Sequence, residues 1–402
     1  MKSDNNDIIK SLGCEILKNK KFNGKRLESA RYYRGMTIID LADEVGVSKQ
    51  AISQFENGII SPQFDTLMKI VTSLNFPREY FFEEDFNNVR YGNTFFRAQS
   101  KVKKLEEERQ AVSIKFIGEI HDFLSEYIEF PKLNLPDFEE GLSIEEKALK
   151  LREYWGLGIE PIKDIIYVME KNGIIVSEIC TGSSYVDAFT QVQVSNGVQN
   201  FVVVLGNDKG YATRRQFSAA HELGHIILHD PFINPNELSS VEKRSMEKEA
   251  HEFASAFLLP AKSFSTDVST YPTNLEFYKQ LKKKWRTSIS AMLIRANHLD
   301  IINYNSYQNM MRKMGRNGWR TNEPLDDTLI MRHPTVLKRA VNILLDNDIL
   351  DADGIIATLR RKQFSIPREE IENLLNLDKG TLNSNISELP LKVIDIPLKN
   401  IK

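Results

Sequence analysis

Cysteine is nearly absent from this chain. Cys14 and Cys180 are the only two in 402 residues and lie far apart, which excludes a disulfide framework and a cysteine-based zinc site. A global basic bias is missing as well: the formal net charge is −2, so any nucleic-acid binding has to come from a local surface. No run of 18 apolar residues occurs, and the opening MKSDNNDIIK lacks the apolar core of a secretion signal. These absences point to a cytoplasmic protein with no membrane partner. Internal repeats and low-complexity tracts are lacking too. The 41% hydrophobic content is enough for real cores, and the length implies two or three domains.

One stretch carries chemistry: FSAAHELGHIILH, from Phe217 to His229. It reads as a helix with H-E-x-x-H. Residues four apart share a helix face, so His221 and His225 point the same way and can chelate one metal ion. Glu222 beside them is placed to handle the proton of a water activated there. The apolar frame of Phe217, Ala220, Leu223, Ile226 and Ile227 also suits a core helix with two histidines at its edge. The acidic segment SMEKEAHEFASAFLLP decides for the metal, because a catalytic zinc commonly takes three protein ligands and a water. That segment reads as a helix over 245–259 and offers Glu247, Glu249 and Glu252, with His251 between them.

Near the N-terminus, short helices alternate with turn signals at Gly35, Gly46, Gly58 to Pro62, and Pro77. Thr37 suits an N-cap for a helix through Val45, with Asp40 at its third position. Gly46 fits the tight turn, and Ser48 caps a second helix to about Asn57. This is helix-turn-helix spacing, with the first residues of the second helix at base edges. Its outward polar residues are Lys49, Gln50, Ser53 and Gln54; the inward or turn-facing ones are Ala51, Ile52 and Phe55. Gln50 and Gln54 can bond base edges, and Lys49 can meet phosphate or guanine. Over roughly Gly24–Phe82 the segment resembles the XRE (Cro/cI-type) helix-turn-helix family, matching at Arg26, Leu27, Ala30, Gly35, Thr37, Leu41, Ala42, Gly46, Ser48, Ile52, Gly58, Pro62 and Leu67 among others. The resemblance implies double-stranded operator DNA as a partner. One departure is Ile38, where the family usually carries a Gln that helps clamp phosphate. Charge is also modest, with seven Lys/Arg against six Asp/Glu between Lys25 and Arg78, so non-specific affinity should be low.

Between these motifs, Lys101 to Phe130 reads as one long helix whose apolar stripe can pair two copies or pack on the next domain, the latter favoured. His121 on it reads as an ordinary surface or edge histidine. Helices over SIEEKALKLREYWGLG and PIKDIIYVMEKNG follow, then strands at 174–179, 186–194 and 201–206. The two zinc-helix segments resemble the ImmA/IrrE family of zinc metallopeptidases. The signature F-x-x-A-H-E-x-x-H appears as Phe217 to His225, followed by Glu247, Glu249, Ala250, Phe253, Ala254, Phe257, Leu258 and Pro260. Arg152, Trp155, Gly156, Leu157, Gly173, Asp187 and the segment 285–299 also fit. The resemblance implies that His221 and His225 are zinc ligands, Glu222 the general base and Glu247 the third ligand, with Glu249 as the alternative. His251 stands where the family often has Asn or Asp bonded to a ligand histidine; an imidazole can make that bond or approach the metal itself. His229 is expected to continue the helix and support packing. By position alone, Tyr185, Tyr211, Arg214 and Arg215 are oxyanion candidates, and His298 and His333 are structural or exposed. The basic run Lys313–Arg320 could touch nucleic acid, but reads better as a solvated loop; helices resume from about Thr335.

The expected fold is multidomain and mostly α. An extension (1–23) precedes an all-α helix-turn-helix domain (24–86) and a connecting segment with the long helix (87–136). An α+β, zincin-like metallopeptidase domain with a small sheet (137–310) and a helical C-terminal region (311–402) follow. The expected function is that of a DNA-binding transcription regulator with zinc-dependent endopeptidase activity, latent or open. It would cleave an XRE-type repressor, or itself near Phe81–Ser100, to derepress stress or mobile-element genes. A homodimer would be compatible with this. The alternatives are a metal-sensing or purely DNA-binding regulator without proteolysis, and a scaffold that only binds protein.

Overall fold

The computed structural model describes residues 21–85, 89–96, 104–181, 187–195, 197–208, 210–233 and 237–383. The described residues open with four helices, α1 (Gly24–Tyr33), α2 (Ile38–Val45), α3 (Lys49–Glu56) and α4 (Phe64–Leu74). Thr37 and Asp40 form the expected capping box on α2, and Gly46 ends it in the left-handed region at φ 76°, which only glycine enters without strain. Ser48 caps α3 through the Ala51 N–H. Leu41, Ala42, Val45, Ile52, Leu67 and Ile70 are buried between these helices.

Strand β1 (Val89–Phe96) and the long helix α5 (Lys104–Leu124) come next. The strand lies inside the segment expected to be a junction, and the helix is shorter than expected at its C-terminal end. Then follow α6 (Ile144–Tyr154), α7 (Ile165–Lys171), β2 (Ile175–Ile179), β3 (Ala188–Ser195) and β4 (Val198–Gly206). The sheet order is β1-β3-β4-β2; β3 pairs antiparallel with β1 and β4, and β2 runs parallel to β4. Alternation along each strand gives the sheet two different faces. Ala188, Val192, Val203 and Leu205 face one core, shared with α6, α7 and the helices that follow the sheet. Phe189, Val202 and Val204 face a second core, built from α5, the N-terminal helices and the C-terminal helices.

The sheet leads into α8 (Ala212–Leu228) and α9 (Ser240–Leu258), then α10 (Ala261–Val268), α11 (Leu275–Trp285), α12 (Ile289–His298) and α13 (Tyr304–Arg316). The described residues close with α14 (Val336–Asp346), α15 (Ala352–Arg361) and α16 (Arg368–Leu374). Three expectations need correction here. Lys313 and Arg316 lie in α13, not in a loop, because Met310 and Met314 give that stretch a buried stripe. His229 does not continue α8: it is the C-cap, extended at φ −119°. His121 is buried, 8% exposed, with its ring 4.5 Å from that of Phe130.

The C-terminal helices join the two ends of the molecule. Glu370 accepts from Arg34 and from the Tyr33 hydroxyl, both at 2.6 Å. Phe364 packs edge-on against Phe116 of α5. The Ser177 hydroxyl of β2 donates to the Leu374 carbonyl. α5 favours packing on the sheet, as its apolar stripe predicts: Gly118 lies so close to Gln193 that an added Cβ would sit 1.7 Å from its Oε1, and Gln193 Nε2 donates to the Ile114 carbonyl at 3.0 Å. No helix of the described residues is long and apolar enough to cross a membrane.

Candidate functional site

α8 and α9 cross at two small residues. A Cβ on Gly224 would stand 3.0 Å from the Ala250 carbonyl oxygen and 3.1 Å from its Cα, so the helices approach there as closely as glycine allows. Ala219, Ala220 and Leu223 on α8 are buried, as are Phe253, Ala254 and Phe257 on α9. Ser239 and Glu242 cap the start of α9 reciprocally.

At the crossing and one turn N-terminal to it, the helices present ligand atoms. His221 Nε2 and His225 Nε2 are 3.2 Å apart. Glu247 reaches both, with one oxygen 3.3 Å from His221 Nε2 and the other 3.4 Å from His225 Nε2. His221, His225 and Glu247 form the one group of metal-competent side chains found among the described residues; neither Glu249 nor His251 belongs to it. Burial drives the His221 pKa down to about 3. Burial alone would raise that of Glu247, but its hydrogen bonds to His221 and His225 win, and it lies well below the usual carboxylate range. The result is a neutral His221 imidazole beside a carboxylate, the protonation state a cation requires of both.

Glu249 has a different part. Its carboxylate accepts from Ser245 Oγ at 2.9 Å and lies 3.3 Å from His229 Nε2. A carboxylate only accepts, and burial lowers the His229 pKa, so the neutral ring carries its proton on Nε2. Its Nδ1 is then an acceptor for His225 Nδ1–H, 3.0 Å away. With a cation between His225 and Glu247, that tautomer would offer it the His225 Nε2 lone pair. His251 is exposed and lies ring to ring with His221, centroids 4.4 Å apart. It makes no hydrogen bond to His221 Nδ1, which is buried and unpaired.

Glu222 is fully buried beside the histidines, and its Oε2 accepts from the Thr190 hydroxyl of β3 at 2.6 Å. Period-two alternation puts Thr190 on the α8 face of the sheet together with Ala188 and Val192. A cavity of about 830 Å³ opens beside Glu247, between α8, α9, α12 and the segment after α13. Phe217 and Ile294 give it apolar walls, and it also meets His298 and Arg320. Ser255 borders it with a buried Oγ that has no hydrogen-bond partner. Sequence reasoning missed the α12 contribution, although Ser290, Ile294 and His298 stand four apart and all line the cavity. A larger cleft of about 930 Å³ beside α5 and α14 contains none of the expected site residues.

The oxyanion candidates separate. Arg215 is spent in the interior, on Glu178 and the Gly206 carbonyl. Arg214 pairs with Asp187 at 2.7 Å, and Tyr211 lines the cavity. Tyr185 lies outside the described residues. His333 bonds Glu178 at 2.9 Å. On the N-terminal domain, Lys49 and Gln50 are exposed, while Ser53 and Gln54 are half-buried. Ile38 packs against the core, so it supplies no phosphate donor.

Two comparisons with known families agree with this geometry. Residues 32–81 match a helix-turn-helix family. Residues 169–297 match the family described as the IrrE N-terminal-like domain, a span that contains β2 to β4, α8, α9 and the His221, Glu222, His225 and Glu247 positions. No curated protein matches the chain. The chain therefore joins an XRE-type helix-turn-helix domain to an IrrE-like domain of the metallopeptidase class.

Proposed function

We propose that the chain is a DNA-binding regulator that hydrolyses a peptide bond with a zinc ion held by His221, His225 and Glu247. One observation carries this reading. Ligands about 2.0–2.2 Å from a tetrahedral ion stand about 3.3–3.6 Å from one another. Here the two Nε2 atoms stand 3.2 Å apart, and the two Glu247 oxygens lie 3.3 Å from His221 Nε2 and 3.4 Å from His225 Nε2, one to each, close to that range. The donor set therefore fits zinc, and two histidines with a carboxylate leave a position for water or substrate. When bound, zinc supplies a Lewis acid that polarises a scissile carbonyl and acidifies water.

The remaining chemistry belongs to the protein. The Glu222 carboxylate, oriented by the Thr190 hydroxyl, takes the proton of the attacking water and returns it to the leaving nitrogen. The dry surroundings of Glu222 keep that proton from bulk solvent. The 830 Å³ cavity receives the peptide, with Phe217 and Ile294 against its apolar atoms and Ser255 Oγ available for one polar contact. α3 directs the molecule to DNA, with Lys49, Gln50, Ser53 and Gln54 toward the duplex, and the substrate is an XRE-type repressor or another copy of this chain. Self-cleavage within 89–96 would require β1 to leave β3, and residues 86–88 and 97–100 of the expected junction lie outside the described residues.

The experiment is incubation of the zinc-loaded full chain, alone and with an XRE-type repressor encoded beside it, followed by intact-mass analysis. Wild type yields defined fragments. Glu222→Gln retains zinc and yields none, and Thr190→Val cleaves more slowly with unchanged zinc content. Identical intact masses for wild type and Glu222→Gln in both mixtures would refute proteolysis and leave a metal-responsive regulator.

A further inference from the structure

The segment Ile301–Asn322 contains no Asp or Glu, yet it carries Arg312, Lys313, Arg316 and Arg320. All four are exposed, and none forms an ion pair among the described residues. α13 organises three of them. Its inward side is Met310 and Met314, with Tyr307, Met311 and the following Trp319 packed on the same core. On the opposite side, Asn305, Asn309, Arg312 and Arg316 follow at i, i+4, i+7 and i+11, and all are exposed. Lys313 flanks this stripe, and Tyr304 at the start of the helix is 61% exposed. Arg312 is steadied by Asn309 Oδ1 at 3.3 Å and Gln308 Oε1 at 3.5 Å, neutral partners that leave its charge in place. From Asn305 to Arg316 the stripe is about 16 Å long, the axial reach of about five phosphates of one DNA strand.

The N-terminal domain lacks what this face has. Of its seven Lys/Arg between Lys25 and Arg78, four are engaged inside the protein. Lys25 pairs with Glu28 at 2.9 Å, and Arg26 is buried and donates to the Glu84 carbonyl at 2.6 Å. Arg31 pairs with Glu56, and Arg34 with Glu370, both at 2.6 Å. Arg78 has a partner as well, which leaves Lys49 and Lys69. Sequence-independent affinity for a duplex scales with the number of phosphates neutralised, and two lysines supply little of it. Amide and guanidinium groups along one helix are the side chains that contact DNA backbone.

We propose that the outward face of α13 is a second DNA-backbone contact surface, which supplies the phosphate neutralisation that the helix-turn-helix domain lacks. The inference rests on the reading of that domain as DNA-binding. The face carries no base-reading geometry, so its contribution is the same for every sequence.

The test uses the full chain and a random-sequence duplex of about 30 bp, with binding followed by fluorescence anisotropy between about 50 and 200 mM salt. Arg312→Gln/Lys313→Gln/Arg316→Gln should make the slope of log K against log salt shallower by about 2 to 3, since each phosphate contact contributes about 0.9. Affinity at the lowest salt should fall by about tenfold or more, while Arg312→Lys/Arg316→Lys keeps the wild-type slope. Circular dichroism confirms that the exposed Gln positions leave the fold intact. Unchanged slope and affinity in the triple Gln variant would overturn the proposal. A parallel Lys49→Gln/Gln50→Ala variant separates the two readings. If it keeps the wild-type sequence preference in selection from a random-duplex pool while the triple variant is weakened on the single random duplex, the helix-turn-helix reading fails and the α13 surface stands. If it loses that preference while the triple variant binds the random duplex like wild type, the α13 surface fails. Polyglutamate that binds as tightly as the duplex, and loses affinity equally in the triple variant, would assign the face to an acidic protein and overturn the proposal.

Discussion

Replacing Gly224 with alanine tests whether the helix crossing sets the ligand spacing. The added Cβ would lie 3.0 Å from Ala250 O, 3.1 Å from Ala250 Cα and 3.2 Å from Phe253 Cδ1. Carbon atoms prefer about 3.5–4.0 Å, so α9 must withdraw by about 0.4 Å or more. Two of the three atoms are backbone, and no rotamer change relieves them. Two effects on stability oppose each other: alanine gains about 1 kcal/mol over glycine within a helix, and overpacking costs about 1–3 kcal/mol. The net change in melting temperature is small and uninformative. Zinc affinity is the better reporter, because Glu247 sits one turn before Ala250 and moves with it, while His221 and His225 stay on α8. A shift of that size takes the 3.3 and 3.4 Å separations out of the range a tetrahedral ion accepts, and the exposed side of Glu247 recovers only part of it. The expected loss is about 10- to 100-fold in affinity, read by competition with a chromogenic chelator. Gly210→Ala, where an added Cβ meets nothing within 4 Å, is the control. Wild-type zinc affinity in Gly224→Ala would refute the argument, since the crossing would then be loose enough to absorb a methyl group.

Two further outcomes follow from the site. His229→Ala removes the acceptor for His225 Nδ1–H and should weaken zinc binding by about 10- to 100-fold, whereas His229→Asn, whose carboxamide oxygen accepts the same proton, recovers part of it. Equal affinities for wild type and the alanine variant in the same chelator competition would show that His229 does not orient His225. In the metal-free protein, His221 takes a proton near pH 3 in the folded state but near 6.5 when unfolded. Between those values the unfolded chain binds the extra proton, so stability falls as pH drops through that window, by about 1.4 kcal/mol per pH unit for one such group. Urea midpoints should therefore be lower at pH 5 than at pH 7, with a smaller difference in His221→Gln; coincident midpoints for the wild type would contradict the burial of a neutral ring.

Much of the site was legible because two helices carry it and helical periodicity is strict. His221 and His225 share a face whatever the tertiary context, and the caps at Thr37 and Ser143 mark helix starts locally, whereas the capping box at Ser239 went unread and α9 begins five residues before the expected 245. Three strands were visible from β-branched runs, β4 beginning three residues earlier than expected. β1 was not, because RYGNTFF has neither alternation nor an apolar run, and its strand state follows from pairing with β3. Thr190 was equally hidden, since its hydroxyl meets Glu222 only after the sheet packs under α8. The division of labour between Glu247 and Glu249 also needed coordinates. Both lie on α9, two residues apart, and only the helix crossing decides which faces the histidine pair and which faces His229. His121 misled because a polar residue in a charged helix reads as surface, and contact with Phe130 overrides that.

The most direct test of the account is anomalous diffraction at the zinc edge from crystals of the full chain grown with zinc. It predicts one ion per chain, about 2.0–2.2 Å from His221 Nε2, His225 Nε2 and a Glu247 oxygen, with a fourth position open toward the cavity. Zinc bound by Glu249 or His251 in place of Glu247, a fully protein-closed shell, or no ion between α8 and α9 would contradict it.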